Sequence, residues 1–177
     1  MESRRKRNRS QIIKWVCYTL LMLLCTVLQT TPGLFQLGTA KPLWLLPLAL
    51  AVAEEEGEFA GAIFGAVCGL MWDYTAGRTV GMLAFELLIL CFLLSAGMQL
   101  YFKTSASNFV LLATAVAALV LTLDWLFFYY MPGYSGAGER YLWFVLPTVV
   151  LTIPVCFAVF WIVRRIHAEF QLDDGVV

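Results

Sequence analysis

Apolar residues in this chain come in long blocks, each closed by a short polar break. The blocks run from about Ile12 to Thr30, Leu43 to Ala53, Phe59 to Trp72, Val80 to Tyr101, Phe109 to Tyr130 and Tyr141 to Val163. Crossing the hydrocarbon core of a bilayer as a helix takes about 20 mainly apolar residues. The pattern therefore predicts six membrane-spanning helices. The second block is too short on its own: it covers about 17 Å against a core of about 30 Å. Either it starts earlier, near Leu37, or the membrane or neighbouring helices cover its ends. Pro42 suits its first turn, where a missing N–H costs nothing, and Pro47 is expected to bend it. Pro147 and Pro154 fall on one face of the last block and predict a kink or a local break.

The third block carries a second pattern. Glycine recurs at 57, 61, 65 and 69, aspartate takes the next step at 73, and glycine returns at 77 and 81. Spacing by four puts Gly61, Gly65 and Gly69 on one nearly bare helix face. The hydrophobic effect does little to join helices in lipid, so close backbone approach must supply the attraction. The pattern predicts a packing face. Two readings of its end stand: packing alone, or packing plus a polar site built on Asp73 and the turn after it.

The breaks give a topology. Basic residues gather at Arg4, Arg5, Lys6, Arg7, Arg9, Lys14, Lys103, Arg164 and Arg165, all on the side of the chain ends if the blocks cross six times. Lys41, Arg78 and Arg140 fall on the other side. This bias predicts that both ends are cytoplasmic. Tyrosine and tryptophan agree: Trp44, Trp72, Tyr74, Tyr129, Tyr130, Tyr134, Tyr141 and Trp143 mark the outer boundary, and Trp15, Tyr18, Tyr101 and Trp161 the inner one. Residues 1–11 form a basic tail, 12–165 a single membrane domain and 166–177 a polar tail. The basic tail suits anionic lipid headgroups. Nucleic acid is a poor partner, because no basic face follows the tail. A basic start before an apolar block also fits a signal peptide, with Leu37-Gly38-Thr39-Ala40 as a weak cleavage site. The block is as long as a full crossing, so a retained helix is expected.

Composition supports a membrane protein: 61% of residues are hydrophobic, 14% are charged, and the mean hydropathy is +0.80. The five cysteines lie inside apolar blocks without a C-x-x-C pair, which indicates neither a disulfide framework nor a zinc site. Glu54, Glu55, Glu56 and Glu58 make an acidic turn that is expected to reach water, with a partner-binding or ion-binding cluster as the alternative.

Costly polar groups are the candidates for function. Asp73 and Arg78 flank the outer end of the glycine helix and are expected to pair. Glu86 and Asp124 each lie about 9 Å inside the outer boundary and are expected to face the bundle interior. A structural hydrogen-bond cluster and an outward-opening ligand or partner site are both open readings of these four residues. His167 is the single histidine, so a catalytic triad or a histidine-based metal site has no material. No cofactor motif is present: the chain carries no phosphate-cradling P-loop.

One stretch also carries a family resemblance. The short leucine-rich span with a proline (LWLLPLALAVA) leads to the charged turn. The glycine helix then closes on Leu70-Met71-Trp72-Asp73, and Gly77, Gly81 and an apolar span come after it. This order, over Leu45–Leu90, resembles the rod shape-determining protein MreD family. The resemblance implies a non-enzymatic component of the bacterial cell-elongation machinery in the cytoplasmic (inner) membrane. Its implied partners are an MreC-like protein and, through it, MreB filaments and the elongation transpeptidase and glycosyltransferase. It also implies an all-α, six-helix transmembrane bundle similar to the substrate-binding S component of energy-coupling-factor transporters. No catalytic or cofactor residue carries over; Asp73 and the glycines carry over as structural or assembly residues. The rival reading is such an S component itself, a vitamin-uptake subunit. S components tend to show an alanine-x-x-x-alanine stripe on the first helix, and Trp15–Gln29 contains no alanine. An intramembrane enzyme is weakened by the lack of a nucleophile–base constellation.

Overall fold

The block with no polar face becomes the axis of the molecule. In the computed structural model, which describes residues 2–77, 81–101 and 105–172, every residue from Leu45 to Ala53 is buried. A helix apolar all round has to be surrounded by other helices. Five others do this. The helices are α1 (Glu2–Thr30), α2 (Leu45–Glu56), α3 (Glu58–Ala76), α4 (Met82–Tyr101) and α5 (Ala106–Tyr130), then α6, which runs from Ala137 to Leu172. No strand occurs among the described residues. Four stretches are long and apolar enough to cross a membrane: Arg9–Thr30, Glu58–Ala76, Ala106–Tyr130 and Ala137–Phe170. Met82–Met98 is a shorter apolar helix.

The short α2 resolves its length problem through its neighbours and starts no earlier than Leu45. Helix starts leave N–H groups without partners, and buried ones must be satisfied. Here Gln29 at the end of α1 supplies the acceptor: its Oε1 takes hydrogen bonds from Trp44 N–H at 2.9 Å and Leu45 N–H at 3.1 Å. Thr152 Oγ1 of α6 takes the Leu43 N–H at 3.1 Å. Pro47, not Pro42, occupies the first turn, where its missing N–H removes no helical bond, so no bend is required there.

The two ends of the bundle differ. The first turns of α1 and the last turns of α6 meet at one end, where Ser10 Oγ lies 3.5 Å from the Phe170 carbonyl. We call this the terminal end. The connections at 31–44 and 131–136, and Gly77 and Gly81 between α3 and α4, lie at the opposite, loop end. Helix α6 continues to Leu172, so residues expected in a polar tail are helical, and Ile166, His167 and Phe170 among them are partly buried.

Near the loop end the last two helices widen into π-turns. Met131 N–H reaches back to the Leu126 carbonyl, and Leu146 N–H to that of Tyr141. The second π-turn has a cause in Pro147. A proline inside a helix offers no N–H and presses on the carbonyl four residues earlier. That carbonyl belongs to Trp143, and it accepts from Thr39 Oγ1 at 3.2 Å instead. The expected break is thus absorbed as a wider turn and the helix stays continuous. Lower down, Phe109 stacks on Phe160 at 5.0 Å between ring centroids and fastens α5 to α6.

Candidate functional site

The glycine face of α3 is used along its whole length. Gly57 is the sole link between α2 and α3, with φ of +89°, so the two helices leave a one-residue turn already close together. A Cβ on Gly61 would overlap the backbone of Ala53 on α2. One on Gly65 would lie 2.6 Å from Cys91 Sγ, and one on Gly69 2.5 Å from the Ala84 Cα, both on α4. Successive glycines therefore seat α2 and then α4 against the same ridge. The opposite face of α3, with Phe59, Ile63, Leu70 and Tyr74, is exposed.

Asp73 closes this ridge. The helix runs three residues past it and ends at Gly77, whose φ of +63° is the left-handed cap that glycine adopts without a Cβ penalty. The Asp73 carbonyl accepts the Gly77 N–H, and its carboxylate accepts the Gly81 N–H at 2.8 Å. One residue thus holds both ends of the α3–α4 turn, and it is 1% exposed. Arg78, its expected partner, lies outside the described residues. Asp124 is buried on α5, as expected for an interior carboxylate, whereas Glu86 on α4 is only half-buried. Glu86 sits within electrostatic reach of both Asp124 and Asp73.

Between the π-turns at the loop end lies an open cleft of about 700 Å³, lined among others by Thr39, Tyr129, Tyr134, Arg140, Trp143 and Phe144. The Arg140 guanidinium stands 4.2 Å over the Tyr129 ring and 5.7 Å from the Phe144 ring. Such stacking holds a cation at an aromatic-rich boundary without an ion pair.

The terminal end holds the largest departure from the sequence reading. Glu54–Glu56 do not form a solvated turn; they are the last turn of α2, folded against α1 and α6. Glu56 Oε2 lies 2.6 Å from Lys14 Nζ, and Oε1 accepts from Tyr18 OH at 2.8 Å and lies 2.8 Å from His167 Nδ1. Burial alone would raise the Glu56 carboxyl. The bonds from His167, Lys14 and Tyr18 override it and hold the group at about 2. Both Glu54 oxygens are buried without a hydrogen bond. Burial, then the Glu55 charge, push Glu54 up to about 7 against the opposing pull of Arg164. This cluster joins three helices, and its reactive groups face one another instead of a cleft. Among the described residues no group of three or more His, Cys, Asp or Glu could hold a metal ion.

An all-helical bundle with a buried axial helix, a glycine ridge and polar groups spent on helix joints defines a membrane protein built for packing. The chain belongs to the MreD family: residues 9–167, nearly its whole length, match the family model for the rod shape-determining protein MreD. The family makes it a rod shape-determining protein of the bacterial inner membrane. No curated protein and no solved structure matches the chain. The similarity to S components therefore rests on the family resemblance alone.

Proposed function

We propose that this chain is a non-enzymatic assembly component of bacterial wall elongation. In this reading it binds an MreC-like protein and, through it, works with MreB filaments and the elongation transpeptidase and glycosyltransferase. The match to the MreD family over residues 9–167 is the observation that carries the proposal. The architecture agrees with it, because Asp73 and the Glu56 cluster spend their polar groups on holding helices together. Both chain ends face the cytoplasm in this reading, and the basic N-terminal residues rest on the inner leaflet. The partners meet the loop end and the lipid-facing helix surfaces.

The test is affinity purification of the tagged chain from its native membrane in mild detergent, with mass spectrometry of the co-purifying proteins. Recovery of MreC together with wall synthases supports the proposal. Recovery of a transporter ATPase module without them would replace it with the uptake-subunit reading.

A further inference from the structure

Helices α4 and α5 are neighbours in sequence but lean on different partners: α4 packs on α3 and α2, and α5 on α6 and α2. A crevice of about 250 Å³ opens between them, lined by Leu90, Leu93, Gly97 and Met98 from α4 and by Leu112 and Val116 from α5. Every lining group there is apolar, and the crevice lies on the outer surface of the bundle.

Two features say that lipid alone is a poor filler. The first is Gly97. A glycine inside a helix weakens it, and the three glycines of α3 each repay this with a backbone contact. Gly97 does not, because a Cβ there would meet nothing within 4 Å. Its missing side chain leaves room that none of the described residues uses. The second is Glu86. It stands on the same α4 face as Leu90, Leu93 and Gly97, about 16 Å from Gly97 toward the loop end. The carboxylate is half-buried, and none of the described residues donates a hydrogen bond to it or forms an ion pair with it. Acyl chains offer a carboxylate nothing, and Asp124 and Asp73 add negative charge nearby. What fits this face has a narrow apolar ridge at one level and a positive donor about three turns away.

We infer that the α4–α5 crevice is the docking site for a transmembrane helix of a second protein, one that carries a basic side chain to meet Glu86. This deepens the proposed function, on which it rests, by giving the partner a surface and a chemistry. The helix lies along α4, packs at Gly97 as small-residue faces allow in lipid, and neutralises Glu86 in the half of the bilayer near the loop end.

The experiment places a photo-crosslinking amino acid at Leu93, at Leu112 and, as a control, at Ile63 on the exposed face of α3, in the full chain in its own membrane. Positions 93 and 112 are expected to link to one transmembrane segment bearing Lys, Arg or His, and position 63 is not. Gly97→Leu and Glu86→Gln should each cut that yield by roughly tenfold. Gly97→Leu adds its side chain to open space, so the thermal transition of the purified chain should stay in place. Adducts with lipid only, a linked segment without a basic residue, or yields unchanged by both substitutions would overturn the docking site. Where the linked segment is that of MreC, MreC recovery that survives both substitutions would also overturn it while leaving the family reading intact. A basic transmembrane segment other than that of MreC, linked at 93 and 112, would support the site and count against the named partner.

Discussion

The Lys14 ammonium lies 2.6 Å from the Glu56 carboxylate, Nζ to Oε2, and both side chains are less than a tenth exposed. This pair ties the first helix to the end of the buried second one, and His167 brings in the last helix on the other oxygen of the same carboxylate. The joint sits at the mouth of the bundle, where α1 and α6 would otherwise splay.

Removing one partner of a buried ion pair leaves the other uncompensated, which costs more than the pair itself contributes. Lys14→Met should therefore lower the stability of the purified chain by about 3 kcal/mol. Lys14→Arg, which keeps a positive charge on Glu56, should lose much less. Thermal unfolding in detergent measures both, and an arginine variant as unstable as the methionine one would show that the charge pair is not the joint.

Glu54 and Glu56 give opposite pH dependences. Glu54 is held at about 7 in the folded chain, above the ordinary 4.5. Between these values the folded chain keeps a proton that the unfolded chain releases, so stability falls as pH rises. Glu56 is held at about 2, below the ordinary 4.5, so its contribution is present above 4.5 and is lost as pH falls through 2. Glu54→Gln mimics the protonated form. It should match the native chain near pH 5 and exceed it by about 1–3 kcal/mol near pH 7.5. A difference that does not change with pH would rule out the raised carboxyl.

The glycine ridge predicts a graded response. Gly65→Leu has to displace Cys91 and the α4 backbone, so the chain should accumulate poorly and unfold at lower temperature, by about 3 kcal/mol or more. Membrane levels and thermal unfolding read this out. Native behaviour of the Gly65→Leu chain would mean that α3 does not press on α4.

Asp73 separates charge from hydrogen bonding. Asparagine keeps an acceptor for the Gly81 N–H and alanine does not. Asp73→Ala should cost about 1–2 kcal/mol and loosen the α3–α4 turn, with Asp73→Asn close to native in stability. Weaker MreC recovery with Asp73→Asn at native stability would assign the charge itself to assembly, and unchanged recovery would leave it a turn residue only.

The helices and the ridge were legible because both depend on local pattern: apolar block length, and glycine every fourth residue. The end of α3 was legible only in part: the apolar block stops at Trp72, whereas the helix runs on to Ala76 and closes at Gly77. The cluster around Glu56 was not legible. Lys14 lies 42 residues before Glu56 and His167 lies 111 after it, so nothing near the acidic run shows its counter-charges, and an acidic run alone reads as a solvated turn. The continuity of α6 was hidden too, because Thr39 of a distant connection satisfies the carbonyl that Pro147 leaves open.

The packing of the bundle depends most on which side of α3 faces the other helices. Photoactivatable lipid analogues in the native membrane, combined with peptide mapping, read this out without altering the chain. The predicted result is labelling at Phe59, Ile63, Leu70 and Tyr74, with Phe64 and Cys68 protected. Labelling concentrated on Phe64 and Cys68, with Ile63 and Tyr74 spared, would turn the glycine ridge toward lipid and contradict the packing of α3 against α2 and α4.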